Sequence, residues 1–280
     1  MSVRFVISSG SRVGLARAAG SLLFVTQLAA CSAVRGAVGE GDAPPSSPAR
    51  AEIAPRNGLE VIGAMRRAHP SRALRSLAFN VMMTDAAAPS RVTRARTLAT
   101  LPGRFRTTTL PASRRTGTIL NRQRVAIFER GRRVASRTRI DLSTLLAYDV
   151  YAQGIDSTIK SLDAGGVRYA LARRDRLDGR RVWVVGAEES DSTSPQFWVD
   201  ADEWHVVRVI QRDLRAGRIL LDYRFSEFTD VMGVPLPTRL DIYRSGQLME
   251  RHTITDVAVN PSVPARAFDV ARWRDLSAGN

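Results

Sequence analysis

The sequence predicts a mainly β (α+β) domain of about ten antiparallel strands interrupted by two helical excursions. Two observations carry the β prediction. From Arg180 to Asn260 apolar residues recur at a period of two, with Ile219, Leu221, Tyr223 and Phe225 on one face and Leu236, Leu240 and Ile242 on another, the mark of half-buried strands. Turn signals separate these runs, at Ser192-Thr193-Ser194, Ala216-Gly217, Met232-Gly233 and Ser245-Gly246. A third observation adds the helices: between Asp141 and Gly166 the spacing of Leu142, Leu145, Leu146, Val150, Ile155, Ile159 and Leu162 becomes helical.

In chain order, residues 1–30 read as a secretory signal. Arg4, Arg12 and Arg17 precede a mostly apolar or small stretch from Ala18 to Ala30 that is too short to span a bilayer. Leu28-Ala29-Ala30-Cys31-Ser32 then resembles the lipobox of bacterial lipoproteins. That resemblance implies a diacylglyceryl group on Cys31, cleavage before it, and membrane attachment through the N-terminal lipid. Cys31 is the sole cysteine, so no internal disulfide can form. Residues 31–55 are rich in Ala, Gly, Pro and Ser and read as a lipidated tether, with a root-mean-square reach of roughly 25–30 Å. Residues 56–280 form the domain.

Asn57 is placed to cap a helix running through Arg67, which His69-Pro70 ends. Strands are expected at 75–84, near 96–100, and at 105–110, 116–120, 125–129 and 133–137, with 85–91 as a polar loop. Asp141 caps the first of two short helices broken near Gly154, the second starting at Asp156 or Ser157 and ending at Gly165-Gly166. Strands resume at Val167 and continue to Asn260. In the tail, Phe268 and Trp273 are placed as lid anchors.

The net charge is +15, and Lys160 is the single lysine. Removing residues 1–30 takes away three arginines and no acid, leaving +12. The arginines are spread along the chain without a dense block interleaved with aromatics, which argues against nucleic acid as a partner. His69, His205 and His252 lack metal-ligand spacing, so no metal is expected. No Gly-x-Ser-x-Gly elbow, Walker loop or dinucleotide fingerprint occurs, and no cofactor is expected. The acids Glu188, Glu189, Asp191, Asp200, Asp202, Glu203 and Asp222 fall mostly at turns, where solvated carboxylates are ordinary; a glycosidase-like pair among them is the enzymatic alternative.

The aromatics concentrate in the strand-rich half. A curved sheet with so few helices cannot fill its own concave side. The segment 141–164 is its plug, and what the plug leaves unfilled is an apolar cavity. Phe79, Val81, Leu145, Leu146, Trp183, Phe197, Leu221, Tyr223, Phe225, Leu240 and Ile242 are its candidate lining.

The order of these elements resembles a known group. Pro102-Gly103-Arg104-Phe105-Arg106 opens a strand before the helices. Gly179-Arg180-Arg181-Val182-Trp183 and the run from Gln196 to Ile210 follow them. Arg224-Phe225-Ser226 and Gly233-Val234-Pro235-Leu236-Pro237 come later. Over about residues 56–270 the chain is similar to the bacterial outer-membrane lipoprotein-sorting proteins, carrier and receptor alike. The resemblance implies an incomplete antiparallel β-barrel with helices closing the concave face. It implies a monomer, not an enzyme, that holds a lipoprotein acyl chain or another hydrophobic ligand. Cys31 sets the chain beside the anchored members, and Ser32, where an Asp would retain the protein at the inner membrane, points to the outer membrane facing the periplasm. An envelope interaction or stress-sensing protein of the same fold, with a filled core, is the alternative.

Overall fold

A computed structural model describes residues 54–70, 73–213 and 219–274. The segments expected as signal peptide and tether, Cys31 included, lie outside the described residues apart from Ala54 and Pro55.

In chain order the strands are β1 (Ser76–Asp85), β2 (Ala88–Thr100), β3 (Arg104–Thr109), β4 (Gly117–Asn121), β5 (Arg124–Glu129), β6 (Arg132–Thr138), β7 (Arg168–Leu177), β8 (Arg180–Gly186), β9 (Gln196–Asp200), β10 (Val206–Arg212), β11 (Leu220–Val231), β12 (Val234–Arg244) and β13 (Gln247–Val259). Among the described residues they form one 13-stranded antiparallel sheet, not closed, in the order β6-β5-β4-β3-β2-β1-β13-β12-β11-β10-β9-β8-β7. This order has a topological consequence. Strands β1 (Ser76–Asp85) to β6 (Arg132–Thr138) form an up-and-down meander ending at one edge. Strands β7 (Arg168–Leu177) to β13 (Gln247–Val259) start at the opposite edge and return to pair with β1. The link from β6 to β7 must therefore cross the whole sheet. It does so as the helical segment, which packs on the inward face. The apolar rows on that face run across paired strands: Phe79 with Thr97, Phe105 with Leu120, Phe225 with Leu240, Val209 with Tyr223 and Phe197.

Strands number thirteen, more than the ten expected. The expected loop 85–91 shrinks to a turn at Ala86-Ala87: β2 spans Ala88–Thr100, and Thr84 pairs with Val92. Its outer half is exposed on the sheet, so polar side chains there do not mark a loop. Helix α1 (Gly58–Ala68) begins as expected, with the Asn57 carboxamide oxygen accepting from the Glu60 N–H at 3.0 Å. The crossing segment is less regular. Asp141 caps α2 (Leu142–Thr144), a π turn follows at Leu145–Asp149, then α3 (Val150–Ala152). Helix α4 (Ile155–Ala164) takes Gly154 at its N-cap, one to two residues before the expected start.

The tail corrects another expectation. Phe268 and Trp273 close nothing on the concave side. They cover the outer face with Ile119, Ala126 and Phe128, residues whose strand neighbours Leu120, Val125 and Ile127 point inward. Trp273 stacks on Phe128 with centroids 4.3 Å apart and an interplanar angle of 7°.

Many of the described arginines are paired within the domain. Across the outer face, Trp198, Arg208, Arg224, Asp241 and Arg251 stand in register on neighbouring strands. Arg208 grips Asp222 through Nε and Nη2 at 2.8 and 2.9 Å and lies 4.2 Å over the Trp198 ring. Arg251 grips Asp241 in the same bidentate way. Guanidinium groups suit such planar pairing and ring covering. The edge strand β6 carries exposed Arg132, Arg133 and Arg137, charges that discourage edge-to-edge pairing.

Candidate functional site

The concave face and the crossing segment enclose an apolar pocket of about 210 Å³. Sheet side chains supply one wall: Phe79, Val81 and Met83 from β1, Phe105 from β3 (Arg104–Thr109), Leu120 from β4 (Gly117–Asn121), Phe225 from β11 (Leu220–Val231), Leu240 from β12 (Val234–Arg244) and Ile254 from β13. Tyr148, on the π turn, supplies the other; its ring lies 5.5 Å from Phe105 and 6.3 Å from Phe79. A π turn shifts the side-chain register of a helix and is common at functional positions. On it Tyr148 borders the apolar pocket and Asp149 a second cleft.

Of the candidate lining residues, Phe79, Val81, Phe225 and Leu240 border the pocket. The others do not. Leu146 and Phe197 are wholly buried in the core between plug and sheet. Tyr223, Leu221 and Ile242 pack against the same core. Leu145 borders the second cleft. Trp183 borders a third cavity of about 670 Å³ beside α1, where Arg174 lies 5.1 Å over its ring. Period-two patterning selected the inward face correctly but could not say where along that face the plug stops packing. It also passed over the threonines. Thr97, Thr107 and Thr118 stand in one transverse row of the pocket wall, with 3.0 Å between the hydroxyls of Thr97 and Thr107, and a search for apolar residues does not select them.

Gln211 fixes the plug. It is buried on β10 (Val206–Arg212); its side-chain oxygen accepts from Leu142 N–H at 2.6 Å and Ser143 N–H at 3.2 Å, and its Nε2 donates to Asp141 at 3.1 Å. Asp141 also accepts from the backbone and hydroxyls of Ser143 and Thr144.

Four of the candidate carboxylates have structural partners, Asp202 pairing with Arg181, while Glu188, Glu189 and Glu203 are exposed. Asp191 accepts from Thr193 and Ser194, Asp200 from the backbone N–H groups of Asp202 and Glu203, and Asp222 pairs with Arg208 and Arg224. They stand at separate turns and strands.

Burial shifts one carboxyl and one imidazole within the range from about pH 4 to 7. Burial pushes the Asp149 carboxyl up from 3.8 to about 7, against the opposing hydrogen bond from Gly103 N–H. Burial beside Phe228 pushes His205 down from 6.5 to about 4, against the nearby Asp200. Between about pH 4 and 6.5 the two oppose each other. The unfolded chain binds the His205 proton more tightly, so that contribution is present above 6.5 and is lost as pH falls through 4. The folded chain binds the Asp149 proton more tightly, so that contribution is present below 3.8 and is lost as pH rises through 7. Asp149→Asn keeps an acceptor for Gly103 and removes the second effect. Its stability, followed by denaturant unfolding, rises more steeply with pH from 4 to 6.5 than the parent's, and exceeds the parent's at pH 8. Parallel pH profiles would refute the assignment.

The geometry defines a class: an open antiparallel half-barrel with a helical plug and a small apolar pocket between them. Solved structures resemble it. A LolA superfamily protein from Nitrosomonas europaea is 17% identical, with 77% of this chain and 98% of that chain covered and a TM-score of 0.48. An outer membrane lipoprotein-sorting protein domain from Vibrio parahaemolyticus is 13% identical over 77% and 97%, also at 0.48. The MucA/MucB complex of Pseudomonas aeruginosa includes a chain 12% identical over 76% and 62%, at 0.31. No family model matches the chain, and no curated protein matches it.

Proposed function

We propose that this protein is a lipid-anchored binding protein of the cell envelope that holds one acyl-type chain between its sheet and its helical plug. The observation that supports this is the apolar pocket faced by Phe79, Val81, Phe105, Tyr148, Phe225 and Leu240. Its volume of about 210 Å³ is below the roughly 300 Å³ at which ordinary ligand pockets begin. That size suits a single chain rather than a multiply acylated ligand. The same number favours the second reading, an interaction protein with a nearly filled core. Ligand binding separates the two. The purified domain takes up a fluorescent fatty acid, and native mass spectrometry finds copurifying lipid. Leu240→Trp, which fills the pocket from β12, weakens uptake about tenfold or more while the domain stays folded. Absence of uptake and of copurifying lipid in the parent protein would favour the interaction reading.

The anchor completes the proposal. Cys31 carries the diacylglyceryl group, the tether holds the monomeric domain near the outer membrane on its periplasmic side, and the role is lipid or lipoprotein transport. Cells fed a palmitate analogue label the parent protein in the membrane fraction but not Cys31→Ser. Unlabelled parent protein in the soluble fraction would remove the anchor and the outer-membrane assignment together.

A further inference from the structure

The positive charge of this chain is concentrated in one part of the sheet. Residues 104–139 carry eleven arginines and a single acid, Glu129, a net charge of +10. Residues 141–280 carry 18 cations and 21 acids. A general preference for arginine would not leave one stretch almost without acids. Along the chain these eleven never stand more than two in succession; folding gathers them onto β3 to β6, which end at the free edge of the sheet. Arg132, Arg133 and Arg137 stand on β6 itself, Arg124 on β5, and Arg122 and Arg130 in the turns at either end of β5. All six are exposed. Arg133 is paired with Phe128 and Arg137 with Val125, residues on opposite faces of the sheet, and paired residues share a face. The charge is therefore presented edge-on, on both sides of the strand, and not into a cavity. None of the six makes a side-chain hydrogen bond or an ion pair among the described residues. Between Arg133 and Arg137 stands Val134, 53% exposed, the most exposed large apolar side chain among the described residues.

Unpaired guanidiniums spread along an edge, with no groove to shape one small ligand, match an extended anionic surface. Single-stranded nucleic acid calls for exposed aromatic platforms, and the aromatics of these strands, Phe105 and Phe128, are buried. An acidic polypeptide would meet the charges but would leave Val134 in water. A bilayer meets both, because hydrocarbon lies directly beneath its charged layer. We infer that the β6 edge docks on a membrane surface rich in anionic phospholipid, its arginines among the headgroup phosphates and Val134 at the acyl boundary. Guanidiniums suit phosphate oxygens, and each one held near an anionic leaflet strengthens binding about fivefold. This contact is separate from the N-terminal anchor and from the acyl-chain pocket proposed above, and requires neither.

The test uses the chain from residue 32 onward, which keeps every described residue and lacks both Cys31 and the apolar stretch before it. It is sedimented with vesicles of phosphatidylcholine alone or with about 30% phosphatidylglycerol. The protein binds the anionic vesicles about a hundredfold tighter than the neutral ones, and added salt releases it. R132Q/R133Q/R137Q, at exposed positions without partners, removes that preference, three steps of about fivefold. R176Q/R180Q/R181Q takes the same charge from the β7–β8 end and changes binding less than about threefold, as a distant screened charge should. Val134→Ser weakens vesicle binding about fourfold, the effect of withdrawing one methylene from the acyl boundary, and leaves binding of poly-glutamate unchanged. Thermal unfolding of each variant matches the parent, so a loss of binding is not a loss of fold. Equal binding to both kinds of vesicle, a preference that survives in R132Q/R133Q/R137Q, or an equal loss in R176Q/R180Q/R181Q overturns the docking surface. Poly-glutamate that displaces the vesicles, with Val134→Ser without effect on them, overturns the membrane assignment in favour of an acidic polypeptide. Fatty-acid uptake is measured without a bilayer, so each of these failures leaves the acyl-chain reading standing.

Discussion

Trp273→Ala destabilises the domain by about 3–5 kcal/mol, the range for a buried Trp or Phe truncated to Ala. The reason is how much converges on one ring. Trp273 is 1% exposed. It stacks on Phe128, and its indole N–H donates to Arg115 O at 3.2 Å. Arg106 lies 4.2 Å over the ring and donates to Ala267 O and Trp273 O, each at 3.2 Å. Arg106 is itself almost fully buried, and burial pulls its pKa down to about 10, so removing the ring uncovers a guanidinium whose cost of burial the ring offsets. Even the strand beneath is shaped for the indole. A Cβ at Gly117 would lie 2.7 Å from the Trp273 ring and 2.0 Å from Thr107 O, so no other residue fits there. At about 2–4 °C per kcal/mol for a domain of this size, thermal unfolding shifts by about 10 °C. Fatty-acid uptake by the still-folded fraction is unchanged, because the cluster sits on the outer face. A loss below about 1 kcal/mol, or a direct loss of uptake, would refute this placement.

That cluster also marks the limit of what the residues reveal on their own. Period-two alternation separates the two faces of each strand, because successive side chains must point oppositely. It therefore found the rows containing Phe79, Phe225 and Leu240. It contains nothing about which face a short tail will cover, and an exposed concave mouth looks the more natural target for Phe268 and Trp273. The outer face of β3–β5 offers Ile119, Ala126 and Phe128, but their apolar character reads as core in either direction. The crossing segment was legible as helix from its spacing, and Asp141 as its cap. The π turn was not, since one extra residue in a turn leaves the same apolar residues a few tens of degrees away. Consecutive residues on a helix already stand about 100° apart, and the turn's added rotation sets which cavity Tyr148 and Asp149 each border. The second cleft was equally hidden. Its lining comes from separate elements, from Thr100 to Ser161, and the sequence does not show that they meet.

The plug's attachment to the sheet gives the second large effect. Gln211→Leu nearly conserves volume but removes the acceptor for Leu142 N–H and Ser143 N–H and the donor to Asp141. Ser143 retains Asp141 as an acceptor; Leu142 N–H, in a residue 1% exposed, is left without its partner. A buried donor stranded in this way costs about 1–3 kcal/mol, and weakening the Asp141 cap adds about 1 kcal/mol. The expected loss is therefore about 2–4 kcal/mol. The damage is local before it is global, because these bonds join the start of the crossing segment to β10 and the strand ladder does not depend on them. Amide exchange in residues 142–152 speeds up more than exchange in β11 to β13, and bound fatty acid dissociates faster as the plug lifts from the pocket. Gln211→Glu distinguishes a lost latch from a lost volume. It keeps the acceptor but sets a second carboxylate against Asp141, so its plug is loose near neutral pH and tightens as the pH falls and the new carboxyl is protonated. Uniformly faster exchange across sheet and plug in Gln211→Leu, or a Gln211→Glu protein insensitive to pH, would show that Gln211 only fills space.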